Sequence, residues 1–281
     1  MSGAAGRSRG FPGALPRVIA VTSGKGGVGK TSLVANTAIC LARMGARVTV
    51  IDGDLGLANL DVLLGIVPRR TIEHFFREGA SLAEIAVEGP EGIRVIPAGS
   101  GLPELTRLAP EAQLRFAEEL LALRQDADVV LVDTAAGIAD QVSRMLHVAD
   151  RVLLVTWPEP AALVDAYAAL KVMRGRLREI GLVVNGAASE EEARRIHRQL
   201  EAVSRRFLGG GIPLEGWIPR DEAVREAARR QRAVVLAEPF SPASRAFERL
   251  ALHLAARAAA RLRGAIGERW ERKARATETM H

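Results

Sequence analysis

The chain has 281 residues, 48% hydrophobic, 26% charged and 4% aromatic, an ordinary globular composition with enough apolar material for a sizeable core. Its net charge of +6 is spread along the chain as arginines, which suits a solvated surface better than a nucleic-acid or anionic-lipid footprint. A single cysteine, Cys40, excludes an intrachain disulfide and a cysteine-held metal or iron–sulfur centre, and no apolar run approaches a membrane span.

The first 16 residues are rich in Gly, Arg and Pro and lack the apolar core of a signal peptide, so they read as a disordered lead into a cytoplasmic protein. Strands are then expected at residues 17–22, 47–52, 93–97, 128–133, 151–156, 181–185 and 214–219. Four of them, VTVID, VVLVD, VLLVT and LVVN, are near-continuous apolar runs, as in parallel strands buried on both faces. Helical patterns fall at residues 29–44, 110–124, 138–149, 161–174, 190–207 and 220–230. Such alternation predicts one α/β domain, a mostly parallel twisted sheet with helices on both faces, over residues 17–240. No internal repeat is present.

Between the first strand and the first helix stands SGKGGVGKTS. It fits the phosphate-loop pattern G-x-x-x-x-G-K-[ST], with Gly24 first, Lys25, Gly26, Gly27 and Val28 between, and Gly29, Lys30 and Thr31 closing it before Ser32. The glycines let backbone N–H groups turn inward as an anion nest at a helix N-terminus. Lys30 is expected to reach the β- and γ-phosphates of ATP, and the Thr31 hydroxyl to ligate Mg2+. The chain has only four lysines, Lys25, Lys30, Lys171 and Lys273, and two of them sit in this loop. A compact ammonium, not a planar fork, is therefore wanted there. Lys25 cannot easily share the phosphate geometry of Lys30; pointing out of the loop, its natural target is a nucleotide held by a second copy of the chain, where it would act as an arginine finger does.

The second strand ends in VIDGD. Asp52 and Asp54 alternate faces if the strand continues, or both sit at its carboxyl end, where ligands of parallel sheets bind, if it breaks at Gly53. Asp52 is expected to support the Mg2+ shell and Asp54 to orient a water for hydrolysis. VVLVDTAAG ends in Asp133, placed to hold a metal-bound water, with Gly137 as a pivot four residues on. The five histidines, His74, His147, His197, His253 and His281, make no metal or catalytic motif.

On these residues the chain resembles the deviant Walker A ATPases of the MinD/ParA group, whose signature lysine is Lys25 in KGGVGKT. DGDLGLANLDVLLG, residues 52–65, looks most like the flagellar number regulators of that group, the FlhG or FleN branch. The resemblance spans residues 17–232. It implies a slow ATPase that closes a homodimer around ATP and Mg2+, with Lys25 of each copy on the other's nucleotide, and flagellar regulators or assembly proteins as partners. It implies adenine contacts from Asn185, Pro219 and Asp221, although Asn185 and Pro219 also suit plain turns. WPEP, residues 157–160, then reads as a rigid loop near the dimer face, open to a partner. Division-site MinD shares nearly all of this chemistry but typically carries a basic residue where this chain has Ala58. A ParA-like DNA-partitioning role would need a basic patch interleaved with aromatics, which the sequence lacks, so nucleic acid is not an expected partner.

Many FlhG proteins carry an N-terminal Asp-Gln-Ala-x-x-Leu-Arg segment that activates the GTPase FlhF; the residues before Arg17 show none, so the resemblance does not extend that activation here. The family also tends to end in a helix that meets membrane. Residues 241–281 read as such a helix and a basic tail. Phe247, Leu250, Leu254, Ala258, Leu262 and Ile266 form its apolar stripe, and Trp270 follows among Arg269, Arg272, Lys273 and Arg275. Basic residues around an interfacial aromatic suit the anionic inner face of the cell membrane; the alternative is a packed last helix and a solvated tail.

Overall fold

The computed structural model describes residues 18–54, 59–99, 110–137, 149–174 and 179–256. The expected lead before residue 18, most of the 138–149 helix and the tail beyond residue 256 lie outside them. In chain order the elements are β1 (Val18–Thr22), α1 (Lys30–Arg43), β2 (Val48–Gly53), α2 (Leu60–Leu64), α3 (Ile72–Glu78), α4 (Leu82–Ile85), β3 (Val87–Glu88), β4 (Arg94–Ile96) and α5 (Pro110–Asp126). Then follow β5 (Val129–Thr134), β6 (Arg151–Thr156), α6 (Pro160–Arg174), β7 (Ile180–Ala187), α7 (Glu190–Leu208), β8 (Leu214–Pro219), α8 (Glu222–Arg229), α9 (Val234–Ala237) and α10, residues 242–256. Among the described residues no helix is long and apolar enough to cross a membrane.

The strands form one sheet in the order β3-β4-β2-β5-β1-β6-β7-β8, parallel throughout except where β3 joins β4. Strand side chains alternate, so each strand feeds two cores. Ile19 and Val21 of β1, Leu153 and Val155 of β6 and Val183 of β7 pack with α1 and α10. Val18 and Ala20, Val152 and Leu154, and Val184 pack on the other face with α5, α6 and α7. Burial on both faces is why these strands lack an apolar–polar alternation. Cys40, inside α1, is buried, and burial first of all pushes its thiol up to about 12. It is an inert packing residue, as expected.

Between β2 and β4 the structure has more order than the sequence suggested. α3 and α4 each open on a capping box, Thr71 with His74 and Ser81 with Glu84, and each is too short to show a helical period. The two-residue edge strand β3 falls below any strand pattern.

The expected division at residue 240/241 is not a packing boundary. Ala243, Ala246, Phe247, Leu250, Ala251 and Leu254 of α10 lie in the same buried cluster as β1 and α1. Buried Glu215 on β8 pairs with buried Arg151 on β6, and its other oxygen lies 2.9 Å from His253 on α10. The first three members of the predicted stripe are thus core residues. Ala258, Leu262, Ile266 and the basic tail lie outside the described residues.

Candidate nucleotide site

Strand order reverses about β1: β5, β2 and β4 lie to one side, β6, β7 and β8 to the other. Ligands of open α/β sheets bind at the carboxyl ends of strands at such a switch point, where the 23–32 loop stands. The loop is tied to its surroundings by hydrogen bonds. The Ser23 hydroxyl donates to the Lys25 carbonyl at 2.7 Å, and the Gly137 N–H donates to the Ser23 carbonyl at 2.8 Å. Gly27 and Gly29 take φ values of 75° and 89°, left-handed conformations that turn successive N–H groups to one side before α1 begins at Lys30.

The two lysines differ sharply. Lys30 is buried, 8% exposed, and faces the charge of Asp133. Lys25 is exposed, and its Nζ lies 3.3 Å from Glu159 Oε2 in the loop after β6. Glu159 was not foreseen. It lies 134 residues away, and nothing local marks a charge between two prolines as that lysine's partner.

Asp52 and Asp133 stand opposite each other in the β2–β5 register, both buried. The strand breaks after Gly53, so Asp54 also stands at the carboxyl edge. Asp52 Oδ1 accepts the Asp54 N–H at 3.1 Å and its Oδ2 the Leu60 N–H at 3.3 Å, tying both ends of the loop to β2. Burial, then the neighbouring Asp133 charge, raises the Asp52 carboxyl to about 8. Burial raises Asp133 to about 6, against the Thr31 hydroxyl and Lys30, which pull it down. Asp133 Oδ1 is buried without a hydrogen-bond partner among the described residues. Hard oxygen donors gathered in a buried place that wants a counter-charge fit Mg2+.

The expected adenine residues also make contacts within the chain. The Asn185 side chain reaches the loop itself, donating one N–H from Nδ2 to the Val28 carbonyl at 2.7 Å, which leaves its second N–H and its Oδ1 for a base. Asp221 caps α8: Oδ1 accepts the Ala223 N–H at 3.0 Å and Oδ2 the Ala243 N–H at 2.9 Å. That carboxylate joins α8 to α10 and keeps a further lone pair on each oxygen. Pro219 ends β8 beside it, half-buried.

The CobQ/CobB/MinD/ParA nucleotide binding domain matches residues 19–234. Antiactivator FleN of Pseudomonas aeruginosa is 42% identical over 237 residues, 84% of this chain and 85% of FleN. Flagellum site-determining protein YlxH of Helicobacter pylori is 39% identical over 190 residues, 67% of this chain and 64% of YlxH. Among solved structures, the septum site-determining protein MinD complexed with Mg-ADP from Pyrococcus horikoshii superposes with a TM-score of 0.70 at 26% identity, covering 84% of this chain and 94% of that one.

Proposed function

This chain belongs to the CobQ/CobB/MinD/ParA nucleotide-binding family, and we propose that it is an ATP-driven dimerising switch that sets the number or placement of flagella. The contrast between the two loop lysines carries the switch: one is buried against an acidic strand end, the other exposed at the rim. The flagellar assignment is supported by 42% identity to an antiactivator, FleN, against 32% to a putative septum site-determining protein MinD of Guillardia theta.

In this reading the backbone of Gly24 to Gly29 wraps the phosphates, Lys30 neutralises the β- and γ-oxygens, and Ser32 follows at the helix start. Thr31 and Asp133 hold Mg2+, with Asp52 behind them. When bound, Mg2+ neutralises charge on the β- and γ-phosphoryl oxygens. Asp54 orients the attacking water. Lys25 leaves Glu159 to reach the nucleotide of a second copy, adding positive charge where the transition state builds negative charge. ATP thereby closes a homodimer whose surface differs from the monomer's, and a flagellar regulator or assembly protein reads the difference. The protein acts in the cytoplasm, with the tail beyond residue 256 as its candidate anchor to the inner face of the membrane.

The test is genetic. Deleting the gene from its host should change the number or position of flagella per cell. The parent gene should restore them, and Asp54→Ala, with hydrolysis cut by about 100-fold or more, should not. Normal flagella with displaced septa would favour a division-site role instead.

A further inference from the structure

Trp157 follows β6 and belongs to no part of the machinery described so far. It continues the parity of Leu153 and Val155, so it stands on the face that carries α1 and the phosphate loop, half-buried against that core. Asn185 continues the parity of Val183 on the neighbouring strand and reaches the same loop. Next to it, Gly186 takes a φ of 73°. A Cβ at position 186 would overlap Cζ2, Cζ3 and Cη2 of the Trp157 ring. The indole thus fills the space that a side chain at 186 would use, and only glycine permits it there.

The sheet order says what lies over that ring. A nucleotide whose metal-bound end sits by Asp52 and Asp133 must run from the β2–β5 side of β1 across the loop. Its nucleoside then comes down on the β6–β7–β8 side, away from the carboxylates. The chain there presents Trp157 at the end of β6, the free Oδ1 of Asn185 at the end of β7, and the turn after β8. Trp217, on β8, packs on the opposite face of the sheet. An aromatic face suits a flat base, because every base has a π-face to stack on it.

We propose that Trp157 is a base-facing residue of the nucleotide site, seated by Gly186 so that its indole stacks on the purine beside Asn185. The proposal rests on the ATP-binding reading above and adds the residue that separates a nucleotide from a bare polyphosphate.

Titration calorimetry with two probes, Mg-ADP and inorganic tripolyphosphate, tests it. Trp157→Leu keeps bulk without an aromatic face; it should weaken ADP binding by about tenfold and leave tripolyphosphate within about twofold of the parent. Trp157→Phe should hold ADP to within about threefold, and Gly186→Ala, which evicts the ring, should behave like the leucine variant. The proposal is overturned if Trp157→Leu binds ADP as the parent does. Equal losses for both probes overturn it too, since they would mean the ring only supports the loop. A parent that binds neither probe would instead overturn the ATP-binding reading.

Discussion

Lys25 and Glu159 hold each other within one chain: the ammonium lies 3.3 Å from the carboxylate oxygen, and both side chains are about half exposed at 43% and 55%. The lysine that is to act on a partner's nucleotide is therefore occupied at home until it is drawn away. An exposed pair of this kind is worth ~0–1 kcal/mol, so it biases the switch without blocking it.

Removing that bias should favour the closed state. Glu159→Gln should form the ATP dimer at about two- to fivefold lower protein concentration than the parent, the range that such an ion pair allows. Sedimentation velocity over a concentration series measures it. A dimer weaker than the parent's would mean that Glu159 serves the closed state rather than the open one.

The buried acids predict how stability varies with pH. The Asp52 carboxyl is raised from 3.8 to about 8, so the folded state holds a proton that the unfolded chain has released. Its contribution is fully present below pH 3.8 and is lost as pH rises through about 8. Asp133, raised to about 6, acts in the same direction over a narrower window. The nucleotide-free protein should thus lose melting temperature between pH 5 and pH 8.5, and Asp52→Asn should lose less over that interval. Mg-ADP should flatten the parent's slope, because a cation replaces the proton. Parallel slopes for parent and variant would remove the acids from this account.

Packing of α10 predicts a stability loss far from the nucleotide. Phe247 is 2% exposed in the core shared with β1 and α1, so Phe247→Ala should cost about 3–5 kcal/mol. Urea unfolding followed by circular dichroism measures it. A loss below about 1 kcal/mol would mean that α10 is a detachable appendage and not part of the core.

Much of the fold was legible because doubly buried parallel strands and a phosphate loop leave local marks. The strands at 151–156 and 214–219 coincide with their expected ranges, and the acids at 52, 54 and 133 do stand at strand ends. What was not legible depends on distance. Asp221 is expected near adenine, and nothing local shows that its carboxylate also bridges α8 to an N–H 22 residues away. Asn185 is expected at the base, and nothing local shows that its amide nitrogen also props Val28, 157 residues earlier. The α10 stripe read equally well as a membrane face, because an apolar helix surface does not say what covers it; for Phe247, Leu250 and Leu254 the core that includes β1, α1 and Ile218 of β8 decides that from outside the helix.

Solution mass with ADP and with ATP tests the central claim most directly, with Asp54→Ala used to slow hydrolysis. The account predicts a monomer with ADP, a doubled mass with Mg-ATP, and a monomer in both when Lys25→Ala is added, while nucleotide binding by that variant persists. A mass that never doubles with ATP, or a dimer that forms equally well without the Lys25 ammonium, would contradict it.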